Sequence, residues 1–513
     1  MSVVPQAPDI QSDPYVHDPR RLRRILAAMI AALVAVIAAM SGLNVAQQQL
    51  AVDLGASQGA VLWIINAYTL TLAALLLPVG AIGDRWGRRT VLLVGLVVYG
   101  AASVVALSAT TAAALIAARI ASGAGAAMIM PVTLSIITSS FPPDERARAI
   151  GVWAGFAGAG GMIGLFVSSF MIDVLSWRWI FALPLVLVAV ALVMTLRVVP
   201  NSREGLVHRF DTVGSVLSAV GIGGLVLGVH EGPDRGWSDP LTLFGMIVGL
   251  SAILLFVAWE KRCSDPLIDI STFADRGLST GTLTLTVMFG LMFGIFLVLF
   301  PFYQAVLGWS ALRGATGMLP MMLGMMPLST VAPRIAALHG RRNTMLLGVV
   351  VFGLGLASLA VFTSVEGGYW SVLPGLLMIG IGMGLTMTPA TESITENLPP
   401  QKQGVASAIN DTSRELGGAL GVALLGSIFS AGYRSAIAPK LKGLPPEIAE
   451  PAKEGIGTAF AVARTAGAEA PRIISSAQHA LVEGWVGAMW VGVVIAAGTG
   501  LFVLFRGPVR NRG

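Results

Sequence analysis

The stretch Gly80-Ala81-Ile82-Gly83-Asp84-Arg85-Trp86-Gly87-Arg88-Arg89 decides how this chain folds. It is a short charged interruption between two apolar runs, 61–82 and 91–109. Runs of about 20 residues, rising 1.5 Å each as helix, suffice to cross a hydrocarbon core. Glycines let two such helices approach closely. Asp84 is suited to cap a neighbouring helix N-terminus or to pair with a basic side chain. The arginines hold the loop on the cytoplasmic side.

Part of this stretch returns later in the chain. At a constant offset of 253, Gly87-Arg88-Arg89 maps onto Gly340-Arg341-Arg342, and Gly95 and Gly100 map onto Gly348 and Gly353. Gly151-Val152 maps onto Gly404-Val405, and Gly164 onto Gly417. Parallel repeats of this kind build transporters from two rocking bundles. The copies are not equivalent, since Ala337 and His339 stand where Asp84 and Trp86 do.

Fourteen apolar runs lie along the 513 residues, from 25–45 to 480–505. Hydrophobic residues make up 55% and charged ones 12%, with mean hydropathy +0.79, which excludes a large soluble domain. The expected fold is all-α and membrane-embedded: two six-helix bundles plus two inserted helices. A cytoplasmic tail (1–24) precedes the first bundle (25–198). A linker with two extra helices (199–278) leads to the second (279–505), and 506–513 form a cytoplasmic tail. The second bundle carries an outer segment, 432–479, whose part 453–469 has helical composition and suggests a hairpin. Most of the 33 Lys and Arg fall on one side, so both termini are expected to be cytoplasmic. A lone Cys263 and five scattered histidines offer no metal site, and no P-loop string serves ATP. Cofactors, enzymatic activity and nucleic-acid binding are not expected.

The loop at 80–89 resembles the signature G-x-x-x-D-R-x-G-R-[RK] of the major facilitator superfamily. Its candidate gating residues are Gly80, Gly83, Asp84, Arg85, Gly87, Arg88 and Arg89. Arg119, followed by Gly123 and Pro131, resembles the family's R-x-x-x-G helix. An arginine within a span costs about 2.5–3.5 kcal/mol on insertion scales, so it either serves function or snorkels to an interface. Further stretches resemble the fourteen-helix drug:proton antiporter branch (QacA/EmrB-like). They are Trp63-Ile-Ile-Asn66-Ala-Tyr68, Ser176-Trp177-Arg178-Trp179-Ile-Phe181, Trp259-Glu260, Tyr303-Gln304-Ala-Val-Leu-Gly308 and 410–418. The resemblance implies export of amphipathic, often cationic drugs driven by proton re-entry, by a monomer in a bacterial inner membrane, among lipids. The alternative is an exporter of a specific lipid, siderophore or metabolite.

Two departures bear on coupling. Ala39 stands where the family's first span carries an acid, with Gln48 where Pro is common. The fifth span reads Gly164-Leu165-Phe166-Val167-Ser168-Ser169 instead of G-P-x-x-G-G. The remaining candidates for the proton are Glu392, Asp411 and Glu415. On a helix beginning near Gly404, Asp411 lies about 10 Å in. Asp411, Arg414 and Glu415 share one face, where a carboxylate beside arginine either titrates or forms a static pair. Glu392 follows Pro389 with no basic residue within a helical turn, which makes it the first choice. Candidate cavity residues are Asn44, Trp63, Asn66, Tyr68, Phe156, Tyr303, Gln304, Met322 and Met325. The two methionines belong to a cluster (Met318, Met321, Met322, Met325, Met326) that suits either an adaptable pocket or plain packing.

Overall fold

A computed structural model describes residues 15–43, 46–200 and 210–508. Fourteen helices among them are long and apolar enough to cross a membrane. In the first half these are α1 (Pro19–Gly42), α2 (Gln58–Trp86), α3 (Arg88–Leu107), α4 (Ala112–Ser140), α5 (Pro143–Val174) and α6 (Ala182–Val198). The insertion supplies α7 (Thr212–Arg235) and α8 (Pro240–Glu260). The second half holds α9 (Arg276–Pro301), α10 (Leu319–His339), α11 (Arg341–Phe362), α12 (Gly368–Thr395), α13 (Gln403–Ile437) and α14 (Ala470–Arg506).

Local chemistry sets several of the starts. Asp18, Ser57, Thr111, Asp211, Asp239 and Asp275 each accept a backbone N–H from the first turn of the helix they precede. Pro19 and Pro240 occupy first-turn positions, where a missing N–H costs nothing. Between α2 and α3 the chain turns on Gly87 with φ 100°, and between α10 and α11 on Gly340 with φ 88°. That backbone region is open to glycine and costly for other residues, which explains the glycine in both Gly-Arg-Arg copies.

Packing repeats with the sequence. Helix α1 packs on α4, α5 and α6, and its counterpart α9 packs on α12, α13 and α14. Likewise α4 holds α2 and α3, as α12 holds α10 and α11. The halves meet along two seams, α2 with α13 and α5 with α10. Of the inserted pair, α8 packs mainly on α7, whereas α7 lies against both α2 and α13. Beyond the expected runs, α13 continues to Ile437 and α14 begins at Ala470. Two short helices, Pro446–Glu454 and Ile456–Ala463, lie between them, so the helical part starts earlier than 453. Tyr433 fastens this segment by donating to the Ala452 carbonyl at 3.1 Å.

Candidate functional site

The stretch 80–89 covers the C-terminal end of α2, which crosses the N-terminal end of α13, and the turn into α3. Gly80 has no side chain, so its Cα approaches the Gly404 carbonyl and Ala408. One turn on, buried Asp84 accepts the Gly404 N–H at 2.8 Å and the Val405 N–H at 3.3 Å. These amides belong to the first turn of α13 and have no acceptor within the helix. Arg88 donates to Asp84 at 2.9 Å and to the Pro400 carbonyl at 3.3 Å, which carries the fastening into the other half. Asp84 therefore both caps a helix and pairs with a cation. Arg89 instead donates to the Leu196 carbonyl in its own half. Arg85 is exposed at the end of α2, and Gly83 leaves room for Val132 of α4.

At the counterpart turn, Arg341 stays within its own half. It donates to Glu396 at 2.6 Å and lies 3.4 Å from Glu392. The sequence correctly leaves Glu392 without a basic residue within a helical turn, but it does not reveal this partner from another helix. Its own helix offers none, but α11 begins beside the end of α12 and delivers one. Glu392 is 3% exposed, and its Oε1 has no hydrogen-bond partner among the described residues.

Deeper in α13, Asp411 and Arg414 are buried and 3.6 Å apart. Asn410 donates to Asp411 at 3.1 Å and accepts from Thr391 at 2.9 Å, which ties the pair to α12. The Arg414 guanidinium lies 4.6 Å from the Phe289 ring centre and 5.7 Å from that of Trp153 in α5. Half-buried Glu415 lies within electrostatic range of Tyr68 in α2, across the seam.

Arg119 does not snorkel. It is 1% exposed, donates to the Ile64 carbonyl at 3.1 Å and lies 4.2 Å over the Tyr68 ring. Gly123, one turn on, admits the backbone of α2 at Tyr68. Tyr68 donates to the Val36 carbonyl at 3.0 Å, and Tyr99 to that of Ala35 at 3.3 Å. Sequence reading did not single out Tyr99, although a tyrosine within an apolar run was the available signal.

The candidate cavity residues do not converge on one surface. Trp63 and Asn66 face α7 in a small cleft with His230 and Glu231. Tyr303 packs near the far end of α9, stacked 5.3 Å from Trp309 and donating to Gly317, while neighbouring Gln304 is exposed. Met325 is buried against Gly158 of α5 across the second seam, whereas Met322 and Phe156 are half-buried. Asn44 lies outside the described residues.

Among the described residues, fourteen spanning helices, six in each of two repeated halves and two inserted, with buried charge where the halves meet, fit a multi-pass membrane transporter for small molecules. The family model described as Major Facilitator Superfamily matches residues 27–422, and the chain belongs to that superfamily, in its drug-efflux branch. It is similar to the puromycin resistance protein pur8 of Streptomyces alboniger, 31% identical over 80% of this chain and 82% of that one. It is also 31% identical to the multidrug efflux pump LfrA of Mycolicibacterium smegmatis, over 89% and 91% of the two chains. Among solved structures, the proton:xylose symporter XylE aligns with a TM-score of 0.61 at 15% identity, covering 95% of this chain and 96% of that one. At that identity the likeness is one of fold.

Proposed function

We propose that this protein exports amphipathic small molecules by alternating access, driven by proton re-entry. Bundles 25–198 and 279–505 rock about a substrate path between them, as a monomer in a bacterial inner membrane with both termini cytoplasmic. The observation that carries the reading is Asp84 of one half capping α13 of the other. A cap crossing a seam between rigid bundles is a contact that forms in one state and breaks in another. The names of the relatives, a multidrug efflux pump and a puromycin resistance protein, support drugs as cargo.

For coupling, two groupings each set two carboxylates against one guanidinium: Glu392 and Glu396 with Arg341, and Asp411 and Glu415 with Arg414. Each such trio carries one negative charge in excess, which a bound proton neutralises. The test is efflux of ethidium from cells lacking their own pumps, with and without a protonophore. Protonophore-sensitive efflux is expected, and efflux that survives collapse of the gradient overturns proton coupling. The second reading, one specific lipid, siderophore or metabolite as cargo, is favoured by Ala39 in place of the family's acid; a single compound moved while ethidium is not would select it.

A further inference from the structure

The first bundle encloses a cation that no carboxylate among the described residues balances. Arg119 is almost completely buried, yet it forms no ion pair with any carboxylate among the described residues. Its Nε–H goes to the Ile64 carbonyl and its flat face to the Tyr68 ring. Both neighbouring tyrosine hydroxyls are spent on carbonyls of α1. The stretch of α1 that receives them, 35–39, is Ala-Val-Ile-Ala-Ala and brings no charge. The two Nη groups donate to no protein acceptor among the described residues, so the guanidinium fork is left available.

An arginine inside a span is expensive, and a protein retains one where something pairs with it during function. The fork matches a carboxylate or similar oxyanion in two-pronged fashion, a geometry that a point cation lacks. Half-buried Glu415 of the opposite bundle lies on α13 at about the level of Tyr68 on α2, counted along both helices from the Gly80–Gly404 crossing, and carries the opposite sign. A molecule lying along Tyr68 between the bundles would meet a cation from one half and an anion from the other. We propose that Arg119 receives an anionic group of the cargo, so that the preferred substrates are amphipathic carboxylates, zwitterions among them. This rests on the export reading and deepens it by assigning the charge that the transported molecule carries.

Rhodamine B and its ethyl ester share a cationic ring system and differ in the free carboxylate. Their accumulation in inside-out membrane vesicles containing the full-length protein tests the proposal. The expected wild-type preference for the acid is roughly tenfold or more, the usual weight of a hydrogen-bonded charge contact. Arg119→Gln should erase that preference and Arg119→Lys should keep part of it. Ala39→Asp provides a second route should Arg119→Gln fail to fold. It places a carboxylate one turn beyond Val36, in competition with the cargo, and should shift preference to the ester. Equal transport of both dyes by wild type, or a preference that survives Arg119→Gln and Ala39→Asp, overturns the assignment while leaving export intact. Transport of neither dye would also overturn the assignment, with the export reading decided separately by ethidium efflux.

Discussion

Two seams join the halves, and the repeat makes them counterparts, but they are held by different means. At the first, Gly80 lies on Gly404 and Asp84 caps α13. At the second, Gly151 occupies the place of Gly404 and lies on the Ser329 carbonyl, while Ala337 stands where the carboxylate would be. The cause lies in where the helices begin. Helix α13 starts at Gln403, so the Gly404 and Val405 amides are first-turn donors awaiting an acceptor. Helix α5 starts at Pro143, and by Gly151 the amides already have partners within the helix. A charged latch at one seam therefore depends on where the helix starts as well as on one carboxylate. Helix α7 deepens the asymmetry by lying against α2 and α13 at the latched seam.

The largest effect is expected where the latched seam is tightest. A Cβ at position 404 would overlap the Gly80 carbonyl oxygen and press on the Asp84 carboxyl carbon at 2.8 Å. Backbone cannot yield as a flexible side chain does, and overpacking of this kind costs about 1–3 kcal/mol. Gly404→Val should reduce drug efflux about a hundredfold at equal membrane abundance, because the latched state is no longer reached. Normal efflux by this variant would mean that the seam does not need to close as seen here.

Next comes the charge itself. Asp84→Asn keeps the shape and loses the charge that strengthens five hydrogen bonds from Arg88, Gly404 and Val405. Hydrogen bonds to charged groups contribute about 1.5–3 kcal/mol, so a loss of efflux of roughly tenfold or more is expected with insertion unchanged. Resistance equal to wild type at matched expression would show that the cap is ornamental.

Much of this was legible in the residues. The spacing of Gly80, Gly83 and Asp84 announced a close helix crossing and a capping carboxylate, and the shared Gly-Arg-Arg announced equivalent turns. Spans were legible because apolar length alone decides them. Side-chain partners across helices were not, since they depend on rotation and depth, which no local pattern encodes. Glu392 illustrates the limit: its helix neighbours are correctly free of basic residues, yet Arg341 reaches it from the start of α11. Trp63 and Asn66 illustrate another, because α7 covers the face of α2 that carries them, and an inserted helix has no counterpart in the repeat.

The counterpart arginines sharpen the comparison further. Arg88 reaches across to Pro400, whereas Arg341 stays with Glu392 and Glu396 in its own half. Glu392 is itself buried, but the Arg341 and Glu396 side chains beside it are 33% and 46% exposed, so this grouping reaches water through its partners, while the Asp411 side chain is shut away at 0%. Proton exchange needs a water path. Glu392→Gln should therefore remove the dependence of efflux on the pH gradient more completely than Asp411→Asn, by about fivefold in the gradient-driven component. Wild-type gradient dependence in Glu392→Gln would return the role to Asp411 and Glu415.

The smallest effect is expected from trying to build a second latch. Ala337→Asp restores the carboxylate that the repeat lacks, at a position whose alanine is exposed rather than buried. If the carboxylate alone made a latch, the variant would fasten the second seam and slow transport as the protein struggled to reopen. The helix-start argument predicts otherwise. The N–H groups near Gly151 already bond within α5, so the new carboxylate gains no capping partners and stays hydrated. Exposed substitutions of this kind usually change stability by within about 0.5 kcal/mol. Efflux within about twofold of wild type is expected, and a combined Asp84→Asn, Ala337→Asp protein should remain as impaired as Asp84→Asn alone. Recovery of transport in the combined protein would show that the seams are interchangeable, and that the start of α13 is not what reserves the latch for one side.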